Sequence, residues 1–145
     1  MKIVINAEHG GFGLSEKAIV RYNEILGRDL WIITDERFRF NTYSLVPPEE
    51  RIDAGGGMKL APDNWHSMSI DERCEWNKKY KEQTFYDREL ARDDPILIQV
   101  IEELGELADG RHAKLKIVEI PEDVEWQIDE YDGNEWVAEQ HRTWS

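Results

Sequence analysis

The residues best suited to chemistry form a glycine loop, His9-Gly10-Gly11-Phe12-Gly13-Leu14, between the apolar run Ile3-Val4-Ile5 and a helical pattern opened by Ser15. Bare amides at a helix N-terminus, at the positive end of the helix dipole, make an anion site. The loop has neither the Gly-Lys-Ser/Thr of a P-loop nor the G-x-G-x-x-G spacing of a dinucleotide fingerprint. Its competing reading is a tight turn that packs Phe12 and Leu14 into a core. A second candidate is His141-Arg142-Thr143-Trp144. A histidine, an arginine and an aromatic together recognise a phosphate and stack a base. The alternative there is that Trp144 plugs a core edge while Arg142 pairs with a carboxylate. Lys78, Lys79 and Lys81 are the dense basic cluster of the chain, read as a solvated helix face. His9, His66, His112 and His141 show no metal-ligand spacing, so no metal and no cofactor is expected. No nucleophile elbow is visible, and nothing in the spacing calls for an enzyme.

The elements that must position these residues read as follows. Ile3-Val4-Ile5 predicts a strand. Ser15 predicts an N-cap for a helix carrying Ala18, Ile19, Tyr22, Ile25 and Leu26, stopped by Gly27. Leu30-Trp31-Ile32-Ile33 predicts a second strand or a docking segment. Residues 35–68 hold Pro47-Pro48, Gly55-Gly56-Gly57 and Pro62, and predict an irregular insertion. It carries either specificity or only surface variation. Ser69-Ile70-Asp71-Glu72 has capping-box spacing, and Trp76 and Tyr80 share a face of the helix that follows. Asp94-Pro95 starts a helix with the apolar stripe Ile96, Leu97, Val100, Ile101, Leu104 and Leu107, with Gly105 inside it. Leu115–Ile120 and Val124–Tyr131 alternate with period two around Pro121-Glu122-Asp123, which predicts a hairpin. Asp132-Gly133 closes it, and 135–143 supplies a third strand or a short helix. The fold class expected is α+β: a mostly antiparallel sheet of the C-terminal hairpin and N-terminal strand, packed by two or three helices, in a single domain 1–145. Trp126 and Leu104 are expected in its core.

Composition narrows the partners. The 145 residues hold 40% hydrophobic types, six Trp and five Tyr, enough for a core. Acids outnumber bases 31 to 18, a formal charge of −13. Such a surface repels nucleic acid and anionic membranes at long range. Two roles survive: mimicry of DNA toward a DNA-binding protein, or a local basic pocket for a small anion. Cys74 is alone, so no internal disulfide and no cysteine-based zinc site is possible, which fits a reducing cytoplasm. The first residues turn polar too soon for a signal peptide, and no apolar run approaches the ~20 residues of a membrane helix.

Four blocks carry a resemblance: Val4-Ile5-Asn6 with Gly10 to Ser15; Arg92-Asp93-Asp94-Pro95 with Val100 to Glu106; Ala113 to Pro121; and Tyr131-Asp132-Gly133 through Trp144. In these the chain resembles a widespread group of small proteins of tailed bacteriophages and prophages. Small non-structural phage proteins often bind something their host depends on, and some sequester cyclic-nucleotide or ADP-ribose immune signals. The resemblance therefore implies a phage-encoded, non-catalytic, counter-defence protein in the host cytoplasm, holding a small phosphorylated nucleotide. The resemblance supplies context and no site residues. The chain's own features compatible with such a ligand are the glycine loop with its cap, Gly10, Gly11, Phe12, Gly13 and Ser15, the helix-approach arginines Arg92 and Arg111, and the terminal His141, Arg142 and Trp144, with a homo-oligomer expected to form the pocket. The alternative is an acidic interaction module, a DNA mimic or an inhibitor of a host protein. A small nucleotide-processing enzyme is the third reading. Neither direct nucleic-acid binding nor membrane binding is expected.

Overall fold

Ile3, Val4 and Ile5 are almost wholly buried, and they make strand β1 (Lys2–Asn6) the centre of the molecule's first unit. The computed structural model describes residues 1–37, 39–53 and 61–140. Among these, three α-helices and six strands, paired as three two-stranded antiparallel sheets, make an α+β fold. The chain forms two compact units, Met1–Leu26 with Asp87–Ser145, and Gly27–Tyr86.

In the first unit, helix α1 (Glu16–Leu26) begins as its cap predicts: Ser15 Oγ accepts from the Ala18 amide at 3.2 Å. Helix α3 (Pro95–Leu104) is capped by Asp94, whose carboxylate accepts from the Ile96 amide at 2.9 Å. The two helices pack together, and the Tyr22 hydroxyl donates to Asp94 at 2.5 Å. Gly105 lies outside α3 and ends it, with φ +57. Leu107 is thereby thrown onto the surface and Leu104 is only half-buried, so the expected stripe contracts to Leu97, Val100 and Ile101. Trp126 is likewise half-buried.

The three C-terminal strands form where expected, but they pair differently. Strand β4 (Leu115–Glu119) lies antiparallel to β1, from Lys2 opposite Glu119 to Asn6 opposite Leu115. Strand β5 (Trp126–Tyr131) pairs with β6 (Asn134–Glu139). The hairpin turn is therefore Asp132-Gly133, both at positive φ, and not Pro121-Glu122-Asp123. A two-residue turn of this kind matches strand twist, whereas six residues with a proline separate β4 from β5.

In the second unit, β2 (Trp31–Asp35) pairs with β3 (Phe40–Ser44), so the expected insertion 35–68 opens with a strand. Thr42 and Ser44 are the buried residues of β3, which hid it from a hydrophobic pattern. Two short 3-10 turns, Pro48–Glu50 and Trp65–Ser67, follow. Helix α2 (Ile70–Glu82) starts with Ser69 Oγ accepting from the Glu72 amide at 3.2 Å. Trp76 and Tyr80 are buried on one face, stacked with ring centroids 5.6 Å apart.

Candidate functional site

The glycine loop follows β1 directly, and the chain holds it with side chains from four segments. Asn6 is fully buried. Its Nδ2 donates to the Glu8 and Gly133 carbonyls at 2.7 and 2.8 Å, and its Oδ1 accepts from the Lys114 amide at 2.9 Å. The Gly10 amide donates to the Asp132 carbonyl at 3.2 Å. Gly133 approaches so closely that a Cβ there would stand 2.3 Å from the Gly11 nitrogen, at a φ of +85. The loop is thus clamped against the β5–β6 turn by main-chain contact that only glycine permits. On the other side the Leu14 amide donates to Asp87 Oδ2 at 2.8 Å, and the Gly13 carbonyl accepts from the Gly110 amide at 2.9 Å.

Phe12 is buried, and the Arg92 guanidinium lies over its ring with Cζ 3.7 Å from the centroid. Arg92 is also forked onto Glu135, Nη1 to Oε1 at 2.6 Å and Nη2 to Oε2 at 3.0 Å. The pair serves the edge of β1 that β4 leaves open. The Val4 amide donates to the Arg92 carbonyl, Arg92 Nη1 donates to the Val4 carbonyl at 3.3 Å, and the Asn6 amide donates to Glu135 Oε1 at 2.8 Å. An arginine and a glutamate therefore stand in for a neighbouring strand.

Of the expected site residues, Gly10, Gly11, Phe12, Gly13 and Arg92 meet in one place. Ser15 is spent: besides capping α1, its hydroxyl donates to the Leu107 carbonyl at 2.6 Å. Arg111 is exposed in the turn that follows Gly110. His141, Arg142 and Trp144 lie outside the described residues. The spacing of residues did not reveal Glu135, Asn6 or Asp87, the partners that hold the loop. Their one signal was the Asp132-Gly133 turn, which folds Glu135 back toward β1 once it is read as a hairpin.

Two groups at the loop remain chemically open. The amides of Gly11, Phe12 and Gly13 have no acceptor among the described residues. Exposed Arg88 has no ion pair there either, and its Nη2 lies 4.0 Å from where a Cβ of Gly11 would be. Carboxylates also stand close, Asp87 at Gly13 and Asp132 at 3.8 Å from His9. Among the described residues no three His, Cys, Asp or Glu side chains gather as a metal site, and no helix is long and apolar enough to cross a membrane.

The second unit holds another arginine network that spacing did not reveal. Arg51 and Asp53 are completely buried and bonded to each other, Nε to Oδ1 at 2.9 Å and Nη2 to Oδ2 at 3.3 Å. Arg51 also donates to Ser44 Oγ, the Gln83 carbonyl and Thr84 Oγ1, each within 3.0 Å. Its Cζ lies 5.2 Å from the Tyr80 ring centroid. Burial pushes the Tyr80 phenol up to about 12.

Comparison of the chain with protein-family models, with curated proteins and with solved structures finds no match.

Proposed function

We propose that this chain is a non-catalytic binding protein that engages a basic surface of another protein. The observation that supports this reading is the way its charges are spent. Carboxylates outnumber cations 31 to 18, and four of the cations are held in pairs within the chain. Arg92 is taken by Glu135, Arg51 by Asp53, Arg21 by Glu103 and Lys2 by Glu102. Asp71, Glu75, Glu122, Asp123 and Glu130 are exposed and have no ion pair among the described residues. A surface of unpaired carboxylates attracts cationic partners and steers their encounter. In the phage setting that the resemblance implies, the partner is a DNA-binding or defence protein of the host, met by DNA mimicry or by inhibition. The test is capture from bacterial lysate on the immobilised chain at about 0.05 M and about 0.5 M salt, across which screening changes strongly. Retention of a discrete basic protein at low salt, released at high salt, is expected. A high-salt eluate that carries no basic protein rejects the reading.

One observation favours a second reading, capture of a small phosphorylated nucleotide. The unspent amides of Gly11, Phe12 and Gly13 beside Arg88 are donors of the kind a phosphate recruits. A ligand bound to the native state raises its melting temperature by mass action. A panel of cyclic di- and trinucleotides, ADP-ribose derivatives and mononucleotides tests it. A selective shift abolished by Arg88→Ala supports nucleotide capture, and a flat panel leaves the protein partner.

A further inference from the structure

We propose that a groove along the N-terminal half of α2 seats a basic, partly apolar segment of the protein partner. This inference rests on the protein-partner reading and names where and how the partner is held. The groove has a volume of about 580 Å³ and is open to solvent. Its floor is apolar: Ile52, Met68 and the Trp76 ring. Its rim is acidic: Asp71, Glu72 and Glu75. Glu75 lies one helical turn on from both Asp71 and Glu72, which brings it beside each of them. Lys79 closes the far end and is the single cation of the lining, against three carboxylates.

Those carboxylates are uncommitted. Asp71 and Glu75 have no ion pair among the described residues, and Glu72 accepts only from the Ser69 hydroxyl, at 3.2 Å. The lining is anionic, so a phosphate or nucleotide is repelled and a cationic group attracted. The apolar floor selects further. Lys and Arg lay their aliphatic stems on apolar surface and keep the charge at the rim. Met68 adds an adaptable wall for a neighbouring aliphatic side chain. A bare metal ion or small amine would leave that floor uncovered.

Two more features suit a peptide. The Trp76 Nε1–H is buried and has no acceptor among the described residues. An unmade hydrogen bond of this kind is costly, so a partner whose seating shifts the ring and offers an acceptor would relieve it. The walls are also held in place before any partner arrives. Ile52 sits between the fully buried Arg51 and Asp53, and its amide donates to Gln83 Oε1 at 2.8 Å. Trp76 is fixed between Tyr80, stacked on it, and Trp65, edge-on at 5.7 Å. Little ordering is left to oppose binding.

The probe is a labelled peptide of about ten residues alternating Leu with Lys or Arg, titrated into the full chain at low salt and read by fluorescence anisotropy. The Trp76 indole N–H signal in an NMR spectrum reports the location. Binding should shift that signal. Asp71→Asn with Glu75→Gln should weaken binding about tenfold, and Lys79→Gln should tighten it about twofold, because rim charges tune electrostatic association. Glu122→Gln with Asp123→Asn, two exposed carboxylates of the first unit, should change it less than about twofold at the same ionic strength. All these positions are exposed, so the fold persists and unchanged circular dichroism verifies it. Equal weakening by the two double variants overturns the groove and leaves the acidic-module reading standing. So does a wild-type chain that ignores the peptide yet captures a basic protein from lysate in a salt-sensitive way. If both the peptide and the lysate capture fail, the module reading falls as well.

Discussion

Each of the two units ties an arginine to a carboxylate and lays the guanidinium on an aromatic ring, yet the pairs do different work. Arg51 and Asp53 are two positions apart and wholly buried. Arg92 and Glu135 are 43 positions apart and keep 16% and 8% of their side-chain surface exposed. What separates them is the fate of the groups they touch. In the second unit those groups have other bonds. The Gln83 carbonyl also accepts from the Leu45 amide, Ser44 Oγ donates to the Val46 carbonyl, and Thr84 Oγ1 donates to the Tyr80 carbonyl. In the first unit the Val4 carbonyl and the Asn6 amide depend on Arg92 and Glu135 alone. A buried ion pair is weak grounds for stability when an apolar pair can replace it. It becomes indispensable when it completes a strand edge.

The largest effect should come from breaking either pair on one side. Arg51→Met leaves Asp53 buried and alone and should cost ~3–5 kcal/mol in urea unfolding. Arg92→Met should cost somewhat less, ~2–4 kcal/mol, because water reaches the edge of that pair. The double replacements separate the two. Arg51→Met with Asp53→Leu should return to within ~1 kcal/mol of the parent. Arg92→Met with Glu135→Leu should stay ~2–3 kcal/mol below it, since two main-chain groups of β1 remain unpaired. Equal recovery in both units would erase the distinction.

The same contrast explains what the sequence makes legible. Caps and local turns are short-range, and Ser15, Ser69 and Asp94 with Pro95 all start helices where their chemistry predicts. Apart from β3, strand positions were legible too, but pairing was not, because the partner of β4 lies more than a hundred residues away in β1. β3 was hidden because its buried side chains, Thr42 and Ser44, are polar. Arg92, at the approach to a helix, is a cation that the sequence offers as an anion ligand. What it does depends on Glu135, and no local pattern announces a contact 43 residues distant. Arg51 and Asp53 are adjacent enough to notice, yet they sit in a proline- and glycine-rich stretch where nothing predicted burial.

A smaller effect probes the clamp beside Arg92. Gly133→Ala places a methyl 2.3 Å from the Gly11 nitrogen and must displace the turn whose carbonyl holds Asn6. It should cost at least ~1 kcal/mol, as overpacking does. It should also speed hydrogen exchange at the Asn6 amide while leaving that of the Ile52 amide in the second unit unchanged. Equal acceleration at both would mean that the two networks are not independent.

The smallest effect calibrates the other two pairs against an exposed one. Arg21 reaches Glu103 with Nε to Oε2 at 2.8 Å, a geometry as good as theirs, but both side chains stand in water. Hydrogen bonding from Arg21, and next from Gln99, lowers the Glu103 carboxyl from 4.5 to about 2. A carboxyl that is more acidic in the folded state than in the unfolded one stabilises the fold above the unfolded value, and the contribution fades as pH falls through the folded one. The window is therefore pH 4.5 down to about 2. NMR titration should place the Glu103 midpoint well below the ordinary carboxylate value of 4.5. The melting temperatures of the parent and Glu103→Gln should differ only slightly at neutral pH, since exposed pairs are worth little, and should converge across that window. A gap at neutral pH as large as that of Arg92→Met would mean that strand-edge completion is not what sets the buried pair apart.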